Sequence, residues 1–136
     1  MSGSSLPVVL LVDDESNVLA ALRRGLRREA LSIETAGDAK QALDRLTAGP
    51  VDLVVTDHRM PGMSGVELLA IVRDRWPATA RILLSGWSSE IAESQRSLAR
   101  PFAVLSKPWD GAVLRSAIRE GLARSSTTST RDRGGR

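Results

Sequence analysis

The chain has no cysteine, which excludes disulfides, thiol nucleophiles and cysteine-ligated zinc. A single histidine, His58, rules out a multi-histidine metal centre. Tyrosine is absent and phenylalanine occurs once. Apolar runs are short: Val8–Val12, among the longest, is far too short to span a bilayer. Met1–Pro7 carries neither a basic start nor a long apolar stretch, so no secretory leader is read and a cytoplasmic setting is expected. Net charge is also scarce. The formal +3 is accounted for by Arg124, Arg131, Arg133 and Arg136 against Asp132, leaving residues 1–123 neutral. The high isoelectric point therefore belongs to a tail and gives no reason to expect direct nucleic-acid binding.

What is present is a regular alternation over 136 residues, a length that fits one domain. Val8–Val12 reads as a strand buried on both faces and ends in Asp13-Asp14. A helix over 16–29 follows, with Ser16 as N-cap and Val18, Leu19, Leu22 and Leu26 on one face. Residues 33–36 form a second strand, and Asp38 caps a helix that stops at Gly49-Pro50. A third strand over 51–56 ends at Asp57. The loop Met60-Pro61-Gly62-Met63-Ser64-Gly65 leads into a helix over 66–75. A fourth strand over 82–84 gives way to Ser85-Gly86, and a helix with a thin apolar face lies within 89–99. A fifth strand over 102–105 ends at Ser106-Lys107-Pro108, and Asp110 opens a last helix. From Ser125 the chain is rich in Ser, Thr, Gly and Arg with no aliphatic residue. This predicts a domain over 7–123 and a disordered basic tail over 124–136.

Five βα units in succession predict an α/β fold: a five-stranded parallel sheet with helices on both faces and right-handed crossovers. Function in such folds gathers at the carboxyl ends of the strands. With strand order 2-1-3-4-5, those ends bring Asp13, Asp14 and Asp57 close together, put Ser85 one strand away and leave Lys107 within reach across two. Three crowded carboxylates repel one another and call for compensation. A hard divalent cation with oxygen ligands suits them, and Mg²⁺ in particular. Lys107 adds a fixed positive charge on the other side. Such a site could stabilise a phosphoryl group transferred to Asp57, with a Ser85 hydrogen bond to its oxygens.

Asp13-Asp14-Glu15, Thr56-Asp57, Met60-Pro61-Gly62-Met63-Ser64-Gly65, Leu84-Ser85-Gly86 and Lys107-Pro108, in order and at these spacings, resemble the receiver domain of bacterial two-component response regulators. The resemblance implies a flavodoxin-like (βα)5 fold of order 2-1-3-4-5, a non-enzymatic signalling role, and Mg²⁺ as the cofactor. It implies that Asp57 accepts a phosphoryl group from a sensor histidine kinase and that Asp14 ligates the metal directly. Asp13 would act largely through water, and the Arg59 main-chain carbonyl would add a further ligand. Ser85 matches the switch hydroxyl and Lys107 the lysine that contacts the phosphoryl group, with Pro108 after it in a cis peptide bond. The implied partners are that kinase and a downstream protein or effector domain, with no membrane. A homodimer could form through the fourth helix, fifth strand and fifth helix.

The sequence departs from the common pattern at Val104, where many receivers carry an aromatic residue that rotates inward with the switch hydroxyl. Trp109 is a candidate substitute. Arg59 and Trp87 occupy positions that border the path of the attacking water in this family, so replacing either with alanine is expected to change the phosphoryl lifetime. The wording around Asp57 and Lys107-Pro108-Trp109-Asp110 also resembles receivers attached to cyclic-dinucleotide phosphodiesterases or hybrid kinases. Two alternatives remain open. One is a receiver-like interaction domain that works without phosphorylation, for which Val104 is the best support. The other, a small hydrolase or nucleotide-binding enzyme, is disfavoured because the first βα loop has no glycine-rich phosphate cradle. Arg23, Arg24, Arg27 and Arg28 are read as a solvated helix face.

Overall fold

The computed structural model describes residues 6–86, 97 and 99–134, with side chains described as far as Arg124. The elements are β1 (Val8–Val12), α1 (Ser16–Leu26), β2 (Ser32–Ala36), α2 (Ala39–Ala48), β3 (Leu53–Asp57), α3 (Gly65–Arg75), β4 (Ala80–Ser85), β5 (Ala103–Ser106) and α4 (Gly111–Gly134). The strands form one sheet in the order β2-β1-β3-β4-β5, with every pairing parallel. The expected architecture is thus the observed one. The helix expected within 89–99 lies almost wholly outside the described residues, as does Trp87.

The central strands are near-continuous aliphatic runs because both faces are covered. Val9, Leu11, Leu53, Val55, Ile82 and Leu84 face a core closed by Leu22 and Leu26 of α1 and Leu114 and Ile118 of α4. Leu10, Val12, Val54 and Leu83 face the other core, closed by Ala42 and Leu46 of α2 and Leu68, Leu69 and Val72 of α3. The alternation of side chains along a strand assigns one residue set to each layer.

Three local readings change. Ser16 does not cap α1: Glu15 is the N-cap and contributes no side-chain bond, while its backbone N–H donates to Asp13 Oδ1 at 2.8 Å. The acid at the strand end has taken over the helix's first donor. β3 runs one residue further than the apolar pattern suggests, so Asp57 is itself the last strand residue, paired with Leu84. Helix α4 continues to Gly134, through the segment whose composition predicts a disordered tail. No proline or glycine interrupts the chain between Gly121 and Gly134, so no stop signal precedes Gly134.

Candidate functional site

Helix caps hold the loops around the carboxyl edge of the sheet. In α2, Asp38 accepts from the Gln41 N–H at 2.8 Å. At α3, Ser64 and Glu67 form a reciprocal capping box: Ser64 Oγ accepts from the Glu67 N–H at 3.2 Å, and Glu67 Oε1 accepts from the Ser64 N–H at 2.9 Å. The start of α3 is pressed onto the end of β3. Gly65 N–H donates to the His58 carbonyl at 2.8 Å. A Cβ built on Gly65 would stand 2.2 Å from the Asp57 carbonyl oxygen and 2.9 Å from His58 Cα. Only glycine permits this approach. From sequence Gly65 falls in a loop with no role of its own; a serine before it and a glutamate at position 67 are the available signal of a capped helix start.

The chain reversals at β1, β3 and β5 bring together the acids and the lysine named from sequence. Asp13, Asp14 and Asp57 each offer a carboxylate oxygen, and these oxygens lie within 4.8 Å of one another. Asp13 is fully buried, Asp57 nearly so, and Asp14 exposed. The Lys107 ammonium contacts Asp57 Oδ1 directly and stands 3.8 Å from Asp13 Oδ2. That second Asp13 oxygen has no hydrogen-bond partner although it is buried. A cis peptide joins Lys107 to Pro108. Ser85 ends β4, buried, and its carbonyl accepts from the Lys107 N–H at 2.8 Å, so these two residues adjoin across the sheet. Arg59 follows in the loop after β3 with its side chain exposed.

Electrostatics show the strain of this crowding. Burial pushes the Asp13 carboxyl from 3.8 up to about 6, reinforced by repulsion from Asp57 and Asp14. The Glu15 N–H bond and the Lys107 charge pull it back only in part. For Lys107, burial acts to lower the pKa. The hydrogen bond to Asp57 and the charges of Asp57, Asp13 and Glu15 outweigh it, so the amine titrates above its ordinary range. An orphaned buried carboxylate oxygen beside two further acids is what an oxygen-loving dication would satisfy. The donor set is therefore chemically suited to Mg²⁺.

The remaining residues divide. Val104 pairs with Leu83 and packs, half-buried, against the α2–α3 side of the core. Trp109 packs, half-buried, on the α1–α4 side rather than standing free. Arg23 and Arg24 on α1, and Arg27 and Arg28 in the turn that follows it, are exposed, as the solvated-face reading expects. Beyond that helix, Glu29 pairs with Arg119 of α4 at 2.8 Å. Among the described residues, no helix is long and apolar enough to cross a membrane.

Comparison with known proteins gives the same picture. The family described as the response regulator receiver domain matches residues 9–119. The chain is similar to the hydrogenase transcriptional regulatory protein HoxA of Cupriavidus necator, 38% identical over 115 residues, covering 84% of this chain and 24% of that protein. It is similar to the transcriptional regulatory protein PrrA of Mycobacterium leprae, 35% identical over 129 residues, covering 95% of this chain and 55% of that one. The chain thus spans between about a quarter and about half of these relatives. Among solved structures, a signal receiver domain of an HD domain-containing protein from Pseudomonas fluorescens superposes with a TM-score of 0.88 at 34% identity, over 93% of each chain. The response regulator TrrA of Thermotoga maritima, solved in complex with Mg²⁺ and BeF, gives 0.79 at 28% identity, over 86% of this chain and all of that one.

Proposed function

Because the chain belongs to the response regulator receiver family, we propose that it works as a phosphoacceptor whose acceptor residue is Asp57. The observation that carries this reading is the three-carboxylate cluster with the Lys107 ammonium held against Asp57. Asp13, Asp14, Asp57 and the Arg59 main-chain carbonyl would hold Mg²⁺. When bound, the ion supplies positive charge to the phosphoryl oxygens. An Asp57 carboxylate oxygen attacks the phosphorus of a kinase phosphohistidine, the P–N bond breaks, and the imidazole leaves. Lys107, which contacts Asp57, would exchange that contact for one to a phosphoryl oxygen, and the hydroxyl of the adjoining Ser85 would donate a hydrogen bond there.

The reading extends to a role without turnover of its own, in a domain over 7–123, within the cytoplasm. Phosphorylation would bias two conformations of the face around β5 and the start of α4, towards a downstream protein, an effector domain or a second copy of this chain. Val104 packs inward as a β-branched aliphatic, so an aromatic rotation at this position is not part of the proposed switch. Direct binding of nucleic acid and attachment to a membrane are outside the proposal.

The test is intact-mass measurement after incubation with Mg²⁺ and a small phosphodonor. A single added phosphoryl group is expected in the wild type and none in Asp57→Asn. Metal binding without labelling would favour the phosphorylation-independent alternative. Labelling that persists in Asp57→Asn would refute the assignment.

A further inference from the structure

At the opposite, amino-terminal edge of the sheet lies a cavity of about 150 Å³ lined by Arg81, Arg100, Arg124, Phe102, Thr79 and Gly121, among others. Arg81 sits near the start of β4, four residues before Ser85, which places it roughly 13 Å along the strand from the acidic cluster. Its guanidinium is fixed by three backbone carbonyls. Nε donates to Ala99 at 3.0 Å, and the two terminal nitrogens donate to Thr79 at 3.0 Å and Arg100 at 3.1 Å. Arg124, from α4, lies with its guanidinium carbon 4.7 Å from the centre of the Phe102 ring. Arg100 is exposed, at the turn before β5, with a φ of 43°.

Charge is the anomaly of this cavity. Among the described residues, no carboxylate lines it, and none of the three arginines takes part in a salt bridge. The carbonyls take three of Arg81's five N–H donors and leave two, and its charge, uncompensated. Burial accordingly holds the Arg81 guanidinium below its ordinary range, and the neighbouring Arg73 charge adds to the effect. Residues 1–123 have no net charge, so the placing of Arg81 and Arg100 beside Arg124 with no carboxylate among the described lining residues is a local arrangement rather than a reflection of a basic body.

We propose that Arg81, Arg100 and Arg124 form a second anion site that takes one phosphate group, free or as the head of a small phosphomonoester. A phosphate carries roughly −1.5 to −2 at neutral pH and matches several guanidinium forks better than a single carboxylate does. The Phe102 ring beside it offers an apolar surface to a short ester stem. The cavity volume is on the scale of a phosphate group with a short ester stem.

The experiment is NMR titration with inorganic phosphate and with glycerol 3-phosphate in metal-free, low-salt buffer, following the Arg81 Nε–H and Phe102 ring signals. Saturable one-to-one binding is expected in wild type and equally in Asp57→Asn, with acetate at least about tenfold weaker. Whichever probe binds more tightly identifies the free or the esterified source. Arg100→Gln and Arg124→Gln alter exposed side chains and should keep the native circular dichroism while weakening binding about tenfold each. Shifts that grow linearly without saturation, or affinity unchanged from wild type in both arginine variants, would mean an adventitious ion only and overturn the proposal. Neither result bears on Asp57, whose labelling is read separately.

Discussion

Replacing Gly65 with alanine should injure the fold and the phosphoacceptor together. The new Cβ would arrive 2.2 Å from the Asp57 carbonyl oxygen, and the atoms it meets are all backbone. No side-chain rotation can relieve this. The end of β3 and the start of α3 must separate by roughly 0.8 Å to reach 3.0 Å, the shortest approach a real Cβ makes. That movement also stretches the 2.8 Å bond from Gly65 N–H to the His58 carbonyl. Overpacking of this kind costs about 1–3 kcal/mol, and for a domain of this length each kcal/mol lowers Tm by roughly 3–4 °C. Because Asp57 moves with its carbonyl, phosphoryl labelling should slow by as much as about a hundredfold. The matched control is Gly25→Ala. Gly25 lies in α1, where a Cβ meets nothing within 4 Å. There the substitution should stabilise by about 0.5–1 kcal/mol and leave labelling unchanged. The assay is thermal unfolding by circular dichroism beside intact-mass labelling kinetics. A Gly65→Ala protein with wild-type Tm and labelling rate, or a Gly25→Ala protein destabilised to the same degree, would refute the packing account.

Three further outcomes are expected. Asp13 holds its proton up to about 6 in the fold against an ordinary 3.8, so its contribution to stability is full below about pH 4 and is lost as pH rises through about 6. The difference is on the order of 2–3 kcal/mol. In urea titrations with a metal chelator, Asp13→Asn should remove that slope and be the more stable protein at pH 7–8. A wild type and variant with parallel profiles would contradict it. Magnesium requires the ionised carboxylate, so its stabilising effect should appear above about pH 6 and be lost in Asp13→Asn; thermal shift with and without MgCl₂ reads this directly. Ser64→Ala removes half of the capping box and should cost about 1 kcal/mol, with faster amide exchange confined to the first turn of α3.

The βα rhythm and the acids that end the strands were legible from the chain because each rests on a local pattern, whereas the strand order came from the resemblance to the receiver family and not from spacing. Val8–Val12 and Leu53–Val55 are continuous aliphatic runs, as a strand covered on both faces must be, and each is followed at once by an acid. Parallel pairing then forces those acids to one edge, so the cluster of Asp13, Asp14 and Asp57 was implied by topology before any distance was known. Helix ends were less legible. Ser16 has the right chemistry for a cap, but Glu15 takes the N-cap position and its own N–H donates to the buried Asp13 carboxylate, an arrangement set by the site rather than by propensity.

Residue order along the chain by itself determined which groups carry charge, which runs must be buried and in what succession strands and helices follow, since these depend on side-chain chemistry and short-range spacing. Tertiary structure alone decided how close the groups come. It set the Lys107 ammonium against Asp57 instead of in solvent, left one oxygen of Asp13 buried without a donor, and pressed Gly65 onto the acceptor's backbone. It also gathered Arg81, Arg100 and Arg124 from two strand edges and a helix around one cavity. Such juxtapositions join positions far apart in the chain, and the balance of burial against charge that governs them exists only once the layers have closed.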